Sequence, residues 1–410
     1  MAKNGMYNDF GGSSYGTSPV RGEWYAPDDY PIVPPVFMEY VRNDVIGDVY
    51  PDLVENLVYS IEDITAAINE SPDDVVDIKY GADIIVPDRT DGKITTIFIP
   101  VGKKVVVNLN NHAHDCAAYA YYVNGGELVV KGKGTIKTRM LGVAYSAIAN
   151  YGGKVTVQDN VTIDTRVADK PEGQDNWMYG VTCFKGGTAT IKDNVIIHTD
   201  AASAISTNGS ATTGAGNFYI SDNVALIADL CSAVYMASMD VVHVTGNAII
   251  SGGMILRMGH VTLQDNAKVV NNGFGDKADD FGKYIPTSNG PCALNEAAIF
   301  NAAGTYKPNT PDLGNDLVLT IKDNATVTCA TGDGVVIGDV GTGYDQKVRV
   351  VSDKNVDWRV YSHDELADIC TASGATLKPK TVNTDIQITV GGEVVFPAVD
   401  DPDGENPVGW

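Results

Sequence analysis

The chain repeats a pattern of seven residues, and the first clear copy reads Val157-Gln-Asp-Asn160-Val-Thr-Ile163. Each copy has apolar residues at its first, fifth and seventh positions and asparagine at its fourth. Later copies occupy residues 191–197, 220–226, 244–250, 263–269 and 321–327, and a degenerate earlier copy occupies 130–136. Alternation of apolar and polar residues on both sides of the asparagine predicts a strand, a corner and a second strand.

Asparagine tolerates the left-handed conformation and bonds to neighbouring backbone, so the fourth position is expected to form the corner. The corner residues are Asn160, Asn194, Asn223, Asn247, Asn266 and Asn324. Aspartate precedes five of them, at Asp159, Asp193, Asp222, Asp265 and Asp323, and a corner role explains this row without a metal. Constant corners separated by variable lengths of chain favour a parallel β-helix, with a β-sandwich as the alternative.

Composition excludes several classes of protein. The 410 residues carry a net charge of −23, which argues against nucleic acid or an anionic membrane as the partner. There is no apolar run of about 18 residues to span a membrane, and residues 1–7 lack the apolar core of a signal peptide. The cysteines lack CxxC spacing, so buried free thiols are expected, and we predict no metal and no cofactor. They are Cys116, Cys183, Cys231, Cys292, Cys329 and Cys370.

The chain divides into five predicted parts. Residues 1–50 form an extended arm, 51–71 an amphipathic helix, 72–93 a linker, 94–350 the parallel β-helix and 351–410 a small α+β cap with a helix, a hairpin and an acidic tail. The fold class is therefore all-β, a solenoid with an arm and a short helix before it and a cap after it.

The arm is rich in Gly, Ser, Pro and aromatic residues and cannot form a core of its own. We expect it to dock on a larger assembly, with aromatic anchors. These anchors are Tyr15, Trp24, Tyr25, Tyr30 and Phe37. The alternative is an arm that packs back on its own domain.

Pro51 is expected to open the helix, and Ser71-Pro72 to end it. Its apolar residues form one stripe, made of Leu53, Leu57, Ile61, Ile64 and Ile68. A stripe of this length predicts a short coiled-coil collar that sets the oligomeric state. The alternative is a helix that closes the open end of the solenoid.

Two long loops of the β-helix, 166–178 and 271–292, are the predicted contact surfaces, because loops on a rigid scaffold carry binding. Their candidate glycan or partner residues are Trp177, Phe274, Asp276, Asp279, Asp280 and Tyr284. The alternative is that these loops cover a neighbouring protomer. No catalytic residues are predicted, because the sequence shows neither a Ser-His-Asp signature nor a phosphate-binding glycine loop.

A resemblance to a known family appears where the β-helix begins. This part of the sequence is similar to the opening coils of pectin-lyase-like right-handed parallel β-helix proteins. The similar segments are Pro100-Val-Gly-Lys103, Val105-Val-Val-Asn-Leu109-Asn and Gly125-Gly126-Glu-Leu-Val-Val-Lys. The resemblance covers roughly 94–340. That superfamily includes polysaccharide lyases and hydrolases, adhesins, and the fibres and tailspikes of bacteriophages.

The layout of arm, helix, β-helix and cap resembles a bacteriophage fibre, spike or head-decoration subunit. This resemblance implies a homotrimeric structural protein on the virion surface that binds capsid or tail proteins through its arm and contacts a host polysaccharide. It implies no nucleic acid partner and no membrane insertion. The alternative is a polysaccharide depolymerase with a cleft along the β-helix, and a third class is a bacterial surface adhesin.

Overall fold

A computed structural model describes residues 57–86, 95–139, 145–167, 169, 177–207, 215–271, 284–294, 297–308 and 312–397. The anchors Tyr15, Trp24, Tyr25, Tyr30 and Phe37 and the residues Leu53, Phe274, Asp276, Asp279 and Asp280 lie outside these ranges. The described chain is an all-β, solenoid-like fold of three long parallel sheets. From β2 onward it passes from the first sheet to the second and then to the third, coil after coil.

The first sheet has 13 strands, all parallel except the last pair. In sheet order they are β1 (Leu57–Val58), β2 (Val75–Tyr80), β5 (Lys104–Asn108), β8 (Glu127–Lys131), β11 (Lys154–Val157), β14 (Thr188–Ile191), β17 (Asn217–Ile220), β20 (Asp240–Val244), β23 (Gly259–Leu263), β28 (Leu317–Ile321), β31 (Gln346–Ser352), β33 (Thr384–Val390) and β34 (Glu393–Phe396).

The second sheet has nine strands. They are β3 (Ile84–Ile85), β6 (Ala113–Cys116), β9 (Lys133–Thr138), β12 (Asn160–Asp164), β15 (Ile196–Thr199), β18 (Ala225–Ala228), β21 (Ile249–Ser251), β24 (Lys268–Asn271) and β29 (Thr326–Cys329).

The third sheet has ten strands. They are β4 (Ile97–Ile99), β7 (Tyr121–Asn124), β10 (Ser146–Tyr151), β13 (Tyr179–Phe184), β16 (Ile205–Ser206), β19 (Val234–Met236), β22 (Met254–Leu256), β27 (Ala297–Ala303), β30 (Asp333–Asp339) and β32 (Trp358–Tyr361). An antiparallel hairpin, β25 (Tyr284–Thr287) and β26 (Gly290–Ala293), is inserted before β27. Two helices complete the described residues, α1 (Ile61–Glu70) and α2 (His363–Ala372).

The core is a stack of inward-facing aliphatic side chains. Val157 pairs with Val130 on one side and with Ile191 on the other, and all three are buried. Because parallel strands in register place like residues above one another, each coil buries the apolar positions of its neighbours. Burial of each such side chain stabilises the fold by about 1.5–3 kcal/mol. The thiols are free, as predicted, and all but the half-buried Cys329 are buried.

The corners lie where the heptads predict them, but the left-handed residue is not the asparagine. The residue before it has the positive φ: 65° at Asp159, 64° at Asp193, 61° at Asp222, 69° at Gly246, 58° at Asp265 and 59° at Asp323. The prediction that the asparagines are the left-handed corner residues is therefore wrong. Aspartate tolerates this conformation as asparagine does, and glycine adopts it freely.

Each corner aspartate also bonds to the preceding coil. Asp193 Oδ2 accepts a hydrogen bond from the Asp159 backbone N–H at 3.0 Å, and Asp222 Oδ2 accepts one from the Asp193 N–H at 3.1 Å. The carboxylates thus satisfy backbone donors that the turn leaves without a strand partner. This bonding explains why aspartate recurs at the corner.

The asparagines form a separate row of exposed amides along the solenoid. Each Nδ2 donates to the Oδ1 of the asparagine one coil earlier, at 3.1–3.4 Å. The row joins Asn160, Asn194, Asn223, Asn247, Asn266 and Asn324. At its end the Lys354 ammonium donates to Asn324 Oδ1 at 2.8 Å.

Helix α1 is shorter than predicted and does not form a collar. Leu57 belongs to β1, which pairs with β2, and the helix begins at Ile61 after the N-cap Ser60, whose hydroxyl accepts from the Asp63 N–H at 3.1 Å. Ile61, Ile64 and Ile68 are buried in the core of the same chain. These three side chains are therefore unavailable for a coiled coil. The helix closes the end of the solenoid, which was the alternative to the collar.

Two predicted boundaries also differ. The range 72–93 is not only a linker, because it contains β2 and β3, which build the first coil. The range 351–410 is not a separate cap, because β32, β33 and β34 extend the third and first sheets. Among the described strands, the second sheet ends at β29, since the chain crosses from β31 directly to β32.

The C-terminal helix α2 has the predicted capping box. The Ser362 hydroxyl accepts from the Glu365 N–H at 3.3 Å, and Glu365 Oε2 accepts from the Ser362 N–H at 2.8 Å. Together these bonds satisfy two helix-end donors. The bond from the Ser362 N–H to the carboxylate also holds the pKa of Glu365 below its usual value.

We expect Ser362→Ala to lower the free energy of unfolding by about 1 kcal/mol, because the cap is lost. Urea denaturation of the variant measures this change. Ser362→Thr keeps a capping hydroxyl and is the control. An equal loss in both variants would show that the cap is not the cause.

Candidate functional site

An exposed row of aromatic side chains crosses the first strands of the third sheet. It consists of Phe98 on β4, Tyr122 on β7, Tyr151 on β10 and Phe184 on β13, and we call it the aromatic ridge. On β4 and β7 the rings alternate with buried neighbours, such as Tyr121 and Val123 around Tyr122. On β10 and β13 the ring is the last residue of the strand and the first one that is not buried. The ridge is therefore a surface feature, not part of the core.

The rings of the ridge contact one another in sequence. Centroid distances are 6.0 Å from Phe98 to Tyr122, 6.4 Å from Tyr122 to Tyr151 and 5.9 Å from Tyr151 to Phe184. Phe98 is 47% exposed, and the other three rings are half-buried. Adjacent aromatic pairs of this kind add rigidity to the surface that they form.

Two further tyrosines flank the ridge. Tyr119 lies edge-on to Tyr122 at 5.9 Å and to Tyr145 at 4.9 Å. Burial, with the neighbouring hydroxyls of Tyr145 and Tyr122, raises the pKa of Tyr119 to about 12. The Tyr119 hydroxyl therefore stays protonated at neutral pH and can donate a hydrogen bond to a ligand.

One lysine contacts the ridge, and a second lies close to it in the sequence. Lys185 Nζ lies 4.5 Å from the centroid of the Tyr151 ring, which is a cation–π contact. Lys154 is exposed on β11, three residues after Tyr151. Rings and ammonium groups together can bind a ligand that presents flat apolar faces and polar or charged groups along one direction.

The predicted contact residues do not form this surface. Trp177 is half-buried just before β13, and Tyr284 begins the hairpin β25–β26, which packs with α2 around Phe300. Three strands of the third sheet separate β13 from β27, which follows the hairpin. The structure therefore does not bring Trp177 and Tyr284 together.

The ridge was not predicted, although the sequence carries a signal for it. Tyr151 follows the strand position Ile148 by three residues, and Phe184 follows Val181 by three residues. Ile148 and Val181 pair in register, so Tyr151 pairs with Phe184. Comparing the third-sheet strands at a fixed offset would have found these two rings.

Charged pairs lie on the outer face of the second sheet. Arg166 binds the Asp164 carboxylate through Nε at 2.9 Å and through Nη2 at 2.8 Å, and His198 Nε2 lies 2.7 Å from Asp229 Oδ1. Despite partial burial of the carboxyl group, bonds to Arg166 hold the pKa of Asp164 below its usual value. Asp164 is thus an anion bound to its own arginine, not a proton donor.

One described carboxyl group has a raised pKa. Burial raises the pKa of Asp240, which accepts hydrogen bonds from the Gly216 N–H at 2.7 Å and from the Ser238 N–H and hydroxyl at 2.9 and 2.6 Å. Asp240 is fully buried, so a polysaccharide cannot reach it. Its bonds show that it organises the local backbone.

A polar cluster lies inside the first coils. The Tyr80 hydroxyl is 2.7 Å from His114 Nδ1 and 2.7 Å from the Tyr121 hydroxyl, and all three side chains are fully buried. Burial lowers the pKa of His114 to about 4. The imidazole is therefore neutral at physiological pH.

No family model, curated protein or solved structure matches the chain. Within the described ranges, no set of three or more His, Cys, Asp or Glu side chains is arranged to hold a metal ion. Neither described helix is long and apolar enough to span a bilayer.

Proposed function

We propose that this protein is a structural subunit of a bacteriophage particle, a right-handed, pectin-lyase-like β-helical fibre, spike or head-decoration protein that contacts a host glycan. The observation that carries the proposal is the aromatic ridge, a set of partly exposed rings that contact one another across four successive coils of a rigid solenoid. Binding needs only such a surface, because sugars pack their apolar faces on aromatic rings.

The alternative function, a polysaccharide depolymerase, receives less support from the described residues. Cleavage of a glycosidic bond by paired carboxyl groups needs an accessible acid with a raised pKa. Asp240, whose pKa is raised by burial, lies inside the fold and out of reach of a polysaccharide. A contact function therefore fits these groups better than turnover does.

The contact function is tested by removing ring surface. We expect Tyr122→Ala to weaken binding to purified host-surface polysaccharide about tenfold, because a ring–ligand contact contributes on the order of 1–2 kcal/mol. Tyr219→Ala is the matched control, since Tyr219 is 43% exposed on the first sheet, away from the ridge. Equal losses in both variants, or no binding by the unmodified protein, would contradict the proposal.

The assembly part of the proposal assigns docking to residues 1–50, the arm. We expect particles made from a gene lacking these codons to lack the subunit, while the truncated protein still folds, because the described sheets begin at Leu57. Gel analysis of purified virions and circular dichroism of the truncated protein measure the two outcomes. Stoichiometric incorporation of the truncated protein would show that the arm is not the anchor.

The proposal includes a homotrimer on the virion surface. A trimer has a mass of about 130 kDa, three times 43.5 kDa, and mass photometry of the purified protein distinguishes it from a monomer. Since Ile61, Ile64 and Ile68 are buried in their own chain, the trimer contacts would come from other surfaces.

A further inference from the structure

The lysines beside the aromatic ridge indicate the chemical class of its ligand. We infer that the ridge binds an acidic polysaccharide whose sugars carry carboxylate groups, an inference that rests on the proposed contact function. The structural basis is that Lys154 and Lys185 bring positive charge to the ridge at the corner where the third sheet meets the first.

The turn between β10 and β11 has a backbone that admits only glycine at two positions. Gly152 has φ 74°, and a Cβ on Gly153 would lie 2.4 Å from the Gly126 carbonyl oxygen, so the turn requires glycine at both positions. A shallow groove passes these glycines, and its charged lining consists of three lysines and two acids, Lys103, Lys104, Lys154, Asp74 and Glu127. A chain lying in this groove would run along the solenoid axis past the turn that follows Tyr151, while the rings of the ridge lie outside the groove lining.

The charge at the groove is a surplus of cations. Lys104 is paired with Glu127, with 2.6 Å between Nζ and Oε1, so Glu127 is already neutralised. Lys154 and Lys185 form no ion pair with a described carboxylate. In a chain of net charge −23, these two lysines on successive coils leave a local excess of positive charge that favours an anion.

The combination of rings and lysines selects among anionic ligands. Lys185 Nζ lies 4.5 Å from the Tyr151 ring centroid, so a ligand unit stacked near Tyr151 would have its charged group within reach of that ammonium. A sugar carboxylate supplies a ring and a single charge in one unit. A flexible polyanion without rings would gain nothing from Phe98 or Tyr122.

The two lysines lie on successive coils but at different positions. Lys154 pairs with Thr188 on the next coil, whereas Lys185 directly follows Phe184. One cation per coil suits a polymer that carries one charge per sugar. A doubly charged phosphomonoester would need more than one lysine at each position.

The test compares two polymers that share a backbone but differ in charge, carboxymethyl cellulose and hydroxyethyl cellulose, with affinity electrophoresis of the full-length protein as the readout. We expect at least about tenfold tighter binding to the carboxymethyl polymer, reduced in about 0.5 M salt because exposed charges are screened. The double variant Lys154→Gln/Lys185→Asn is expected to remove most of this preference. Asparagine suits position 185, where φ is 51°.

Lys268→Gln, which removes an exposed lysine on the second sheet, is the control and should leave the preference unchanged. Tyr122→Ala should weaken binding to both polymers. If the unmodified protein binds both polymers equally, the acidic class is overturned while glycan contact stands; if it binds neither, the contact function fails as well.

Two further outcomes would overturn the inference in favour of other ligands. Binding of polyphosphate as tightly as carboxymethyl cellulose, and unaffected by Tyr122→Ala, would identify a general polyanion site. A lower oligomeric mass of Lys154→Gln/Lys185→Asn in mass photometry would show that the groove is a contact between copies of the chain.

Discussion

The contribution of His114 to the free energy of unfolding is expected to fall by about 3 kcal/mol as the pH is lowered from 6.5 to 4, because His114 is buried in its neutral form. In the unfolded chain this imidazole takes up a proton near pH 6.5. In the folded chain it does so only near pH 4. Proton uptake between these values therefore favours the unfolded state.

The sign follows from the lowered folded-state pKa. Above pH 6.5 both states carry a neutral imidazole, so the full stability is present; below about pH 4 the loss is complete. Bonds that hold the pKa values of Asp83, Asp164 and Asp385 low add a further loss, but only at more acidic pH. Burial raises the pKa of Asp240, which works in the opposite direction, because the folded chain takes up that proton before the unfolded chain does. The share of His114 is therefore read from the difference between the unmodified protein and a variant that lacks the imidazole.

Chemical denaturation at several pH values measures this effect in the unmodified protein and in His114→Gln. We expect the variant to have a lower stability, because the Tyr80 hydroxyl loses one of its two partners, but its stability should change less between pH 6.5 and 4. His198→Gln is the control, since His198 lies on the outer face of the second sheet. If His114→Gln keeps the full pH dependence, His114 is not the group responsible.

The second large effect concerns the corners. Asp193→Ala is expected to lower the free energy of unfolding by about 2–4 kcal/mol, from the strain of alanine at φ 64° and the lost bond to the Asp159 N–H. Asn194→Ala, one residue later, should cost about 0.5–1 kcal/mol, because it removes only exposed amide bonds.

Urea denaturation of both variants tests the assignment. Asp193→Gly is the informative control, since glycine relieves the strain and leaves only the lost hydrogen bond. It should be more stable than Asp193→Ala. If Asn194→Ala lowers the free energy of unfolding more than Asp193→Ala does, then asparagine, not aspartate, is the residue that stabilises the corner.

The positions of the strands and corners could be predicted because the heptad combines strand alternation with a turn residue at a fixed place. The conformation of the corner could not, because aspartate and asparagine both tolerate positive φ, and the choice depends on which side chain reaches the backbone of the coil before it. Asp193 makes that contact, while Asn194 contacts another amide.

Helix α1 shows another limit of the sequence. Its apolar spacing continues through Leu57 and Leu53, so periodicity alone extends the helix to Pro51. Pairing of β1 with β2 ends that extension, and the N-cap at Ser60 fixes the start. The aromatic ridge was missed because it depends on stacking across coils, whereas the candidate contact residues were sought in long loops.

The row of exposed amides that ends at Lys354 has a net dipole along the solenoid axis. Every side-chain amide donates toward the earlier coil, so the amide dipoles align and add along the solenoid, as peptide dipoles do in an α-helix. The Asn160 end carries the partial positive charge and the Asn324 end the partial negative charge. The Lys354 ammonium, 2.8 Å from Asn324 Oδ1, is the counter-charge at the negative pole, as a basic residue is at a helix C-terminus.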